Sequence, residues 1–366
     1  MVSSIDRLNE LGQSPWYDNI TRTLVREGGL ASLVANDGIR GVTSNPTIFD
    51  KAIAGGEGYD EQLLSSNAQG LSTEDCFWAL AVDDIGGAAD ILRPVYDAHG
   101  GGDGFISIEV SPLLAKETSK TIEQAAALFA RLGRPNIMIK IPGTIEGLPA
   151  IEETIAAGIN VNVTLLFGLE RHAAVIDAYL SGLERLVASG GDPSKVSSVA
   201  SFFVSRVDTE LDKRLPEGSA LRGKVAVANA QLAYEVFRNH FSGSRWDALA
   251  AKGARLQRPL WASTSTKNAE YPPTLYVDTL IGPDTVNTLA PASIEALQSG
   301  EATLRANSVT RGIAEARQVM VDLAEAGISI DDVTETLERE GVASFAQSYR
   351  DLLATLERRL GVLKAG

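Results

Sequence analysis

A lysine set among alternating isoleucines is the residue in this chain best placed to do chemistry. In Asn136-Ile-Met-Ile-Lys-Ile-Pro-Gly143, Ile137, Ile139 and Ile141 share one face of an extended segment, and Met138 and Lys140 share the other. The isoleucine face suits packing against helices, so Lys140 is expected to point the opposite way, into the interior of a closed sheet. There desolvation disfavours the ammonium, its pKa falls, and the free amine can attack a carbonyl. The product is an imine, whose protonated form is an electron sink for C–C cleavage. An ion pair of Lys140 with Glu109 or Asp18, without chemistry, satisfies the same pattern. Alternation alone leaves the two readings open.

Other segments divide their side chains in the same way. Phe105, Ser107 and Glu109 oppose Ile106, Ile108 and Val110, while Asn160, Asn162 and Thr164 oppose Ile159, Val161, Val163 and Leu165. Gly41, Thr43 and Asn45 share a face, and Asp18 lies near the end of the first strand-like run. Polar side chains are thus expected at one interior mouth, where they need partners, ordered water or a ligand. Asp18 and Glu109 are candidates for general acid and base, because a buried mouth pushes carboxyl pKa values apart.

The elements that must position these groups are legible as a repeated alternation. Eight runs read as strands: 14–20, 38–44, 104–110, 136–141, 158–165, 196–204, 258–264 and 273–281. Between them lie stretches with helical spacing of apolar residues, such as Ile122, Ala125, Ala126 and Phe129, or Val225, Ala228, Leu232 and Val236. Alternating strands and helices imply βαβ units and a parallel sheet. Eight units predict a closed (β/α)8 (TIM) barrel, with Lys140 near the C-terminal rim where barrel active sites sit. An open dinucleotide-binding sheet would need a glycine-rich turn after its first strand, and no GxGxxG stands there. Gly100, Gly101, Gly102 and Gly104 precede a strand instead and read as a flexible αβ loop. The stretch 309–363 reads as two long helices separated by Gly327 and packed over the barrel. The expected organisation is one domain over residues 1–366, with 309–366 as its helical C-terminal extension.

Composition narrows the class. The chain has 366 residues, 44% hydrophobic and 22% charged, as in ordinary globular proteins. Its net charge of −14 argues against nucleic acid or an anionic membrane as the main partner. Cys76 is the single cysteine, which excludes an internal disulfide and a cysteine-based metal cluster. His99, His172 and His240 form no metal-binding spacing. No signal-peptide core and no long apolar run is present, so a cytoplasmic location is expected. Trp16 and Tyr17 read as packing residues of the first strand. Asp83 and Asp84, on a long predicted helix, read as solvated or ion-paired, and Asp278 as a possible inward partner on the eighth strand.

Five segments, taken in order, resemble transaldolases: Gly-Val-Thr-Ser-Asn-Pro-Thr-Ile-Phe (41–49), Ile-Ser-Ile-Glu-Val-Ser-Pro (106–112), Ile-Lys-Ile-Pro-Gly-Thr (139–144), Ile-Asn-Val-Asn-Val-Thr-Leu-Leu-Phe (159–167) and Ala-Ser-Phe-Phe-Val-Ser-Arg-Val-Asp (200–208). Each falls at the end of a predicted strand. The resemblance implies that Lys140 is the Schiff-base lysine, and that Asp18 takes the proton from the C4 hydroxyl and returns it in the reverse step. It implies that Glu109, with Thr164, holds a water that shuttles protons. It assigns Asn45 and Asn162 to the dihydroxyacetone part, Ser201 to a hydroxyl, Phe203 to a wall and Arg206 to phosphate. A surface arginine at a helix start is the plain alternative for Arg206. In Ala262-Ser-Thr-Ser-Thr-Lys-Asn268 the chain departs from the shorter Ala-Ser-Phe-Arg-Asn often found in the family. Lys267 then stands where an arginine is common, with Ser265 nearby, and a lysine binds phosphate as a point charge without a bidentate fork.

The resemblance further implies transfer of a dihydroxyacetone unit from sedoheptulose 7-phosphate or fructose 6-phosphate to glyceraldehyde 3-phosphate or erythrose 4-phosphate. This is a step of the non-oxidative pentose phosphate pathway, and it uses no metal or organic cofactor. A class I aldolase (a lyase) acting on fructose 6-phosphate would use the same lysine. A non-catalytic sugar-phosphate-binding barrel is the third reading. Monomer and homodimer both remain open, since the C-terminal helices can pack within the chain or form a dimer surface.

Overall fold

A computed structural model of the chain describes residues 3–55 and 58–365. Eight parallel strands close into a barrel in sequence order: β1 (Gln13–Tyr17), β2 (Gly41–Val42), β3 (Phe105–Glu109), β4 (Ile137–Pro142), β5 (Val161–Leu166), β6 (Ser198–Phe203), β7 (Gln257–Ala262) and β8 (Thr285–Leu289). Helices follow the strands and form the outer layer, which makes the fold a (β/α)8 barrel. The expected division of faces holds in β4, where Ile137, Ile139 and Ile141 are fully buried and Met138 and Lys140 nearly so. Register pairs Glu109 with Lys140 and Lys140 with Asn162, so the polar face is continuous from β3 to β5.

The eighth strand differs from the expectation. The run 273–281 contains a short helix, Leu275–Thr279, and β8 lies further on at Thr285–Leu289. Tyr276 and Val277 have strand-forming side chains, but here they are buried on a helical turn that follows Pro272-Pro273. The true strand, Thr-Val-Asn-Thr-Leu, carries too few apolar residues to stand out. Its polar groups are satisfied inside the barrel: Asn287 Nδ2 donates to Gln13 Oε1 at 3.2 Å, and Gln13 Nε2 donates to Thr285 Oγ1 at 3.1 Å. Closure therefore rests on hydrogen bonds across β1 and β8 as well as on apolar packing.

Asp278 is corrected with its strand. On the short helix it accepts from Thr274 Oγ1 at 2.8 Å and from the Thr303 amide at 3.0 Å, and it ties down a loop. Asp84 is ion-paired, as one of the two expectations had it, but it is buried rather than solvated. It binds Arg22 Nε at 2.7 Å and the Tyr59 hydroxyl at 2.9 Å. Asp83 pairs with Arg26 at 2.6 Å on the surface. Trp16 is fully buried, donating to Ser14 Oγ and Asp103 Oδ1, and its indole lies so close against Gly41 that no side chain would fit there.

Two helices, Ile313–Glu325 and Ile330–Ala365, follow the barrel with Gly327 between them. The second packs against the helices Pro46–Gly55, Ser205–Arg214 and Thr73–Ala98, and against the end of β5. Among the described residues, no helix is long and apolar enough to cross a membrane.

Candidate active site

The C-terminal ends of the strands surround a cavity of about 240 Å³, lined by Asp18, Asn45, Lys140, Thr164, Ser201, Phe203, Arg206, Ser265 and Lys267 among others. The structure thus gathers these expected residues from six different strand ends and the segments that follow them. Glu109 and Asn162 are not on the cavity surface. Both are buried and lie beside Lys140 across the sheet.

Lys140 stands on β4 two residues before the last pair with β5, and its side chain is 6% exposed. Its Nζ lies 3.6 Å from Glu109 Oε2 and donates to the Ser44 carbonyl at 3.3 Å. Both Glu109 oxygens and the Thr164 hydroxyl are buried without a hydrogen-bonding protein partner. Such groups carry a cost that a bound hydroxyl or water relieves. Burial raises the Glu109 carboxyl to about 7, against the opposing pull of Lys140. The group therefore exchanges a proton near neutral pH.

Beneath the amine runs a fixed chain of hydrogen bonds. Asn162 Nδ2 donates to Ser107 Oγ at 2.9 Å, and Asn162 Oδ1 accepts from Ser201 Oγ at 2.7 Å. These bonds lock the Asn162 amide and join β3, β5 and β6 below the reaction centre. Asn45 caps the helix Pro46–Gly55, its Oδ1 accepting from the Ile48 amide at 3.0 Å. Asp18 follows β1 and is held by Thr43 Oγ1, which donates to Oδ1 at 2.7 Å.

Two local departures from regular strand shape the mouth. A register shift between Val163 and Leu166 interrupts the alternation of β5 just past Thr164, with Leu165 at φ 61. Ser263, at φ 57, turns the chain after β7 and sends Ser265 and Lys267 toward the cavity. Both are non-glycine residues in the left-handed region, a cost that clusters at functional sites. Strand periodicity could not reveal either.

Arg206 enters from the first turn of the helix Ser205–Arg214 and lines the cavity, with its guanidinium 5.0 Å from the Phe203 ring. The surface-arginine alternative is therefore set aside. Desolvation lowers its pKa, with Asp18 opposing. Lys267 donates to Ser265 Oγ at 2.8 Å. Its pKa is lowered by desolvation and then by the charge of Arg206, and Lys51 adds to the same field. Two cations that raise each other's electrostatic energy in one cavity are stabilised by an anion between them. The loop bearing Lys267 is anchored to the helix bearing Arg206: Asp212 accepts from Tyr271 OH at 2.6 Å and Asn268 Nδ2 at 3.0 Å.

Sequence reasoning missed Thr47, Lys51, Thr264, Thr288 and Phe345, all of which line the cavity. Thr47 and Lys51 are four residues apart on the helix that starts directly after Asn45, so their common face was readable. Phe345 sits far along the last helix and carried no local signal.

A family model described as transaldolase/fructose-6-phosphate aldolase matches residues 15–356. A transaldolase of Frankia alni is 50% identical over 366 residues, covering 99% of this chain and 98% of its own length. One of Thermobifida fusca is also 50% identical, covering 98% of this chain and 99% of its own length. Transaldolase 1 of Streptomyces avermitilis is 49% identical, with 98% of this chain and 96% of its own length covered. With the match spanning every barrel strand from Pro15 onward and the C-terminal helices as well, the chain belongs to the transaldolase/fructose-6-phosphate aldolase family.

Proposed function

We propose that Lys140 carries the transaldolase reaction of this chain as a Schiff base. The supporting observation is its amine, buried at the rim of the barrel between a carboxyl that titrates near 7 and a cavity lined by Asp18, Arg206 and Lys267. In this reading the amine attacks the carbonyl of a ketose phosphate, sedoheptulose 7-phosphate or fructose 6-phosphate. Glu109, through a water shared with Thr164, moves the protons needed to form and dehydrate the carbinolamine. Asp18 takes the C4 hydroxyl proton, the C3–C4 bond breaks, and its electrons enter the imine as an enamine. The aldose phosphate leaves. Glyceraldehyde 3-phosphate or erythrose 4-phosphate then accepts the three-carbon unit as Asp18 returns its proton, and the water held by Glu109 and Thr164 hydrolyses the imine to free the new ketose phosphate and the Lys140 amine.

Asn45 and Ser201 hold the dihydroxyacetone hydroxyls, Asn162 acts from beneath by orienting Ser201 rather than from the cavity surface, and Phe203 forms a wall. Arg206 and Lys267, with Ser265, hold phosphate. Because Lys267 is a single ammonium, directional grip falls mainly to Arg206. The imine supplies the electron sink from the protein's own lysine, so the scheme calls on no cofactor. Residues 1–366 act as one barrel domain with its helical extension at 309–366, in the cytoplasm, on small phosphorylated sugars.

The family description also names fructose-6-phosphate aldolase, and a lyase of that kind would call on the same lysine. The relatives named above are transaldolases, which favours transfer. Borohydride reduction in the presence of fructose 6-phosphate, followed by mass mapping, tests the mechanism. A stable three-carbon adduct on Lys140, absent in Lys140→Arg, is expected. An adduct on another lysine, or none, overturns the reading.

A further inference from the structure

A residue of the last helix, Phe345, borders the cavity beside Lys140. It is 5% exposed, and its ring centroid lies 5.8 Å from Lys140 Nζ and 5.9 Å from the Arg206 guanidinium carbon. One ring therefore borders both the amine and the cation expected to hold phosphate. A substrate attached to Lys140 and reaching Arg206 must lie along it.

The helix that carries this ring is seated with care. Gly341, one turn before Phe345, faces Leu165 so closely that an added Cβ would stand 3.0 Å from its Cδ2. One turn after Phe345, Ser348 Oγ accepts from Thr47 Oγ1 at 2.9 Å and Tyr349 OH donates to Glu74 Oε1 at 2.7 Å. Further along, Thr355 Oγ1 donates to Asp50 at 2.9 Å, and Arg359 pairs with Asp60. These contacts tie the helix to the Pro46–Gly55 helix and its neighbours and hold the ring over the mouth.

The chemistry gives that position a consequence. Once the aldose phosphate has left, the enamine has two fates. Its nucleophilic carbon can bond to the acceptor aldehyde, which takes up a proton at the new hydroxyl, and hydrolysis of the imine then frees the new ketose and the Lys140 amine. Alternatively that carbon takes a proton, water adds across the C=N bond, and the C–N bond breaks, which returns the Lys140 amine and frees dihydroxyacetone. Both routes close with that hydrolysis, so what separates them is the proton on the nucleophilic carbon, and without an acceptor that proton needs a water beside the carbon. An aromatic ring offers such a water no hydrogen bond, and it also favours a cation near its face. We propose that Phe345 is the wall that keeps stray water from delivering a proton to the enamine carbon on Lys140, and that it thereby sets the partition between transfer and release of dihydroxyacetone. This inference rests on the Schiff-base reading above.

The test measures two rates in each protein. One is transfer from fructose 6-phosphate to an added aldose phosphate, and the other is release of dihydroxyacetone from fructose 6-phosphate alone. In Phe345→Ala the ratio of release to transfer is expected to rise by about tenfold, as an opened site admits water. Phe345→Leu keeps an apolar side chain and the seat of the helix. It gives a smaller rise in the same direction, and it carries the test alone if melting curves show Phe345→Ala unfolded. Borohydride trapping on Lys140 is recorded for every variant. A ratio unchanged in both variants, with the Lys140 adduct intact, overturns the proposal. Absence of the adduct in the unsubstituted chain defeats the Schiff-base reading instead, so the two failures are distinguishable.

Discussion

Glu109 shows how burial sets chemistry at a single residue. Its carboxyl is raised to about 7 because the barrel interior strips its hydration, and Lys140 only partly compensates. The proton inventory follows. The native state holds a proton on Glu109 up to about pH 7, whereas an unfolded glutamate loses it near its ordinary value of 4.5. Between those values the unfolded chain binds fewer protons, so this group's contribution to stability is present below the lower value and is lost as pH rises through the upper one. Catalysis should carry the same signature. The profile of kcat/KM against pH is expected to show an ionisation near 7 that vanishes in Glu109→Gln, with overall activity reduced by about 10²–10⁴-fold for loss of a proton shuttle. An unchanged ionisation in that variant would show that another group titrates there. The alternation around Lys140 made the inward lysine readable, but not its 3.6 Å separation from Glu109, which depends on the register of β3 against β4.

At the level of elements, the decisive pieces are those that break regularity. Leu165 at φ 61 and Ser263 at φ 57 redirect two strand ends, and no periodicity of side chains encodes a backbone turn of that kind. Gly341 breaks regularity in the other direction. A glycine inside a helix costs about 1 kcal/mol relative to alanine, so its presence asks for a packing reason. That reason is the approach of the helix Ile330–Ala365 to Leu165, where a Cβ would meet Cδ2 at 3.0 Å. Gly341→Leu is expected to lift this helix, cost about 1–3 kcal/mol through overpacking and lower kcat/KM by moving Phe345. Thermal melting and steady-state kinetics check both parts. Retention of both values would mean the contact is loose.

The whole molecule separates its two ends by task. The C-terminal mouth holds the polar cavity, with the Thr164 hydroxyl on it and the Glu109 carboxyl beside it lacking a protein partner. At the opposite end Asp103, buried and away from the cavity, accepts from Trp16 Nε1 at 3.0 Å and pairs with Arg258 at 3.4 Å. That bond set joins β1 to the start of β7 and to the loop before β3. Asp103→Ala should lose about 1–3 kcal/mol of stability, since it removes a buried acceptor of a charged and a neutral donor. Its kcat/KM at low temperature should stay within about twofold of the unsubstituted chain, because barrel chemistry sits at the other face. Denaturant unfolding and kinetics on the same preparation decide this. A large loss of activity in a folded variant would show that the floor is coupled to the mouth.

How much of this was written in the chain depends on the range of the interactions involved. Strand alternation is local, so Lys140, Glu109, Asn162 and Thr164 could be assigned to one interior face from the sequence, and strand–helix alternation determined the barrel. The ordered motifs extended that reading to Asp18, Asn45, Ser201, Phe203 and Arg206. The eighth strand escaped because Thr285–Leu289 is held by hydrogen bonds to β1 and β7, more than 260 residues away at Gln13, rather than by its own apolar content. Phe345, Lys51 and the anchoring of Lys267 by Asp212 arise only when distant segments meet. The sequence by itself determined which polar groups face the barrel interior at its mouth, because their types and spacing are local properties. The tertiary structure alone decided what surrounds them, because exclusion of water and the sharing of charge depend on packing between elements far apart in the chain.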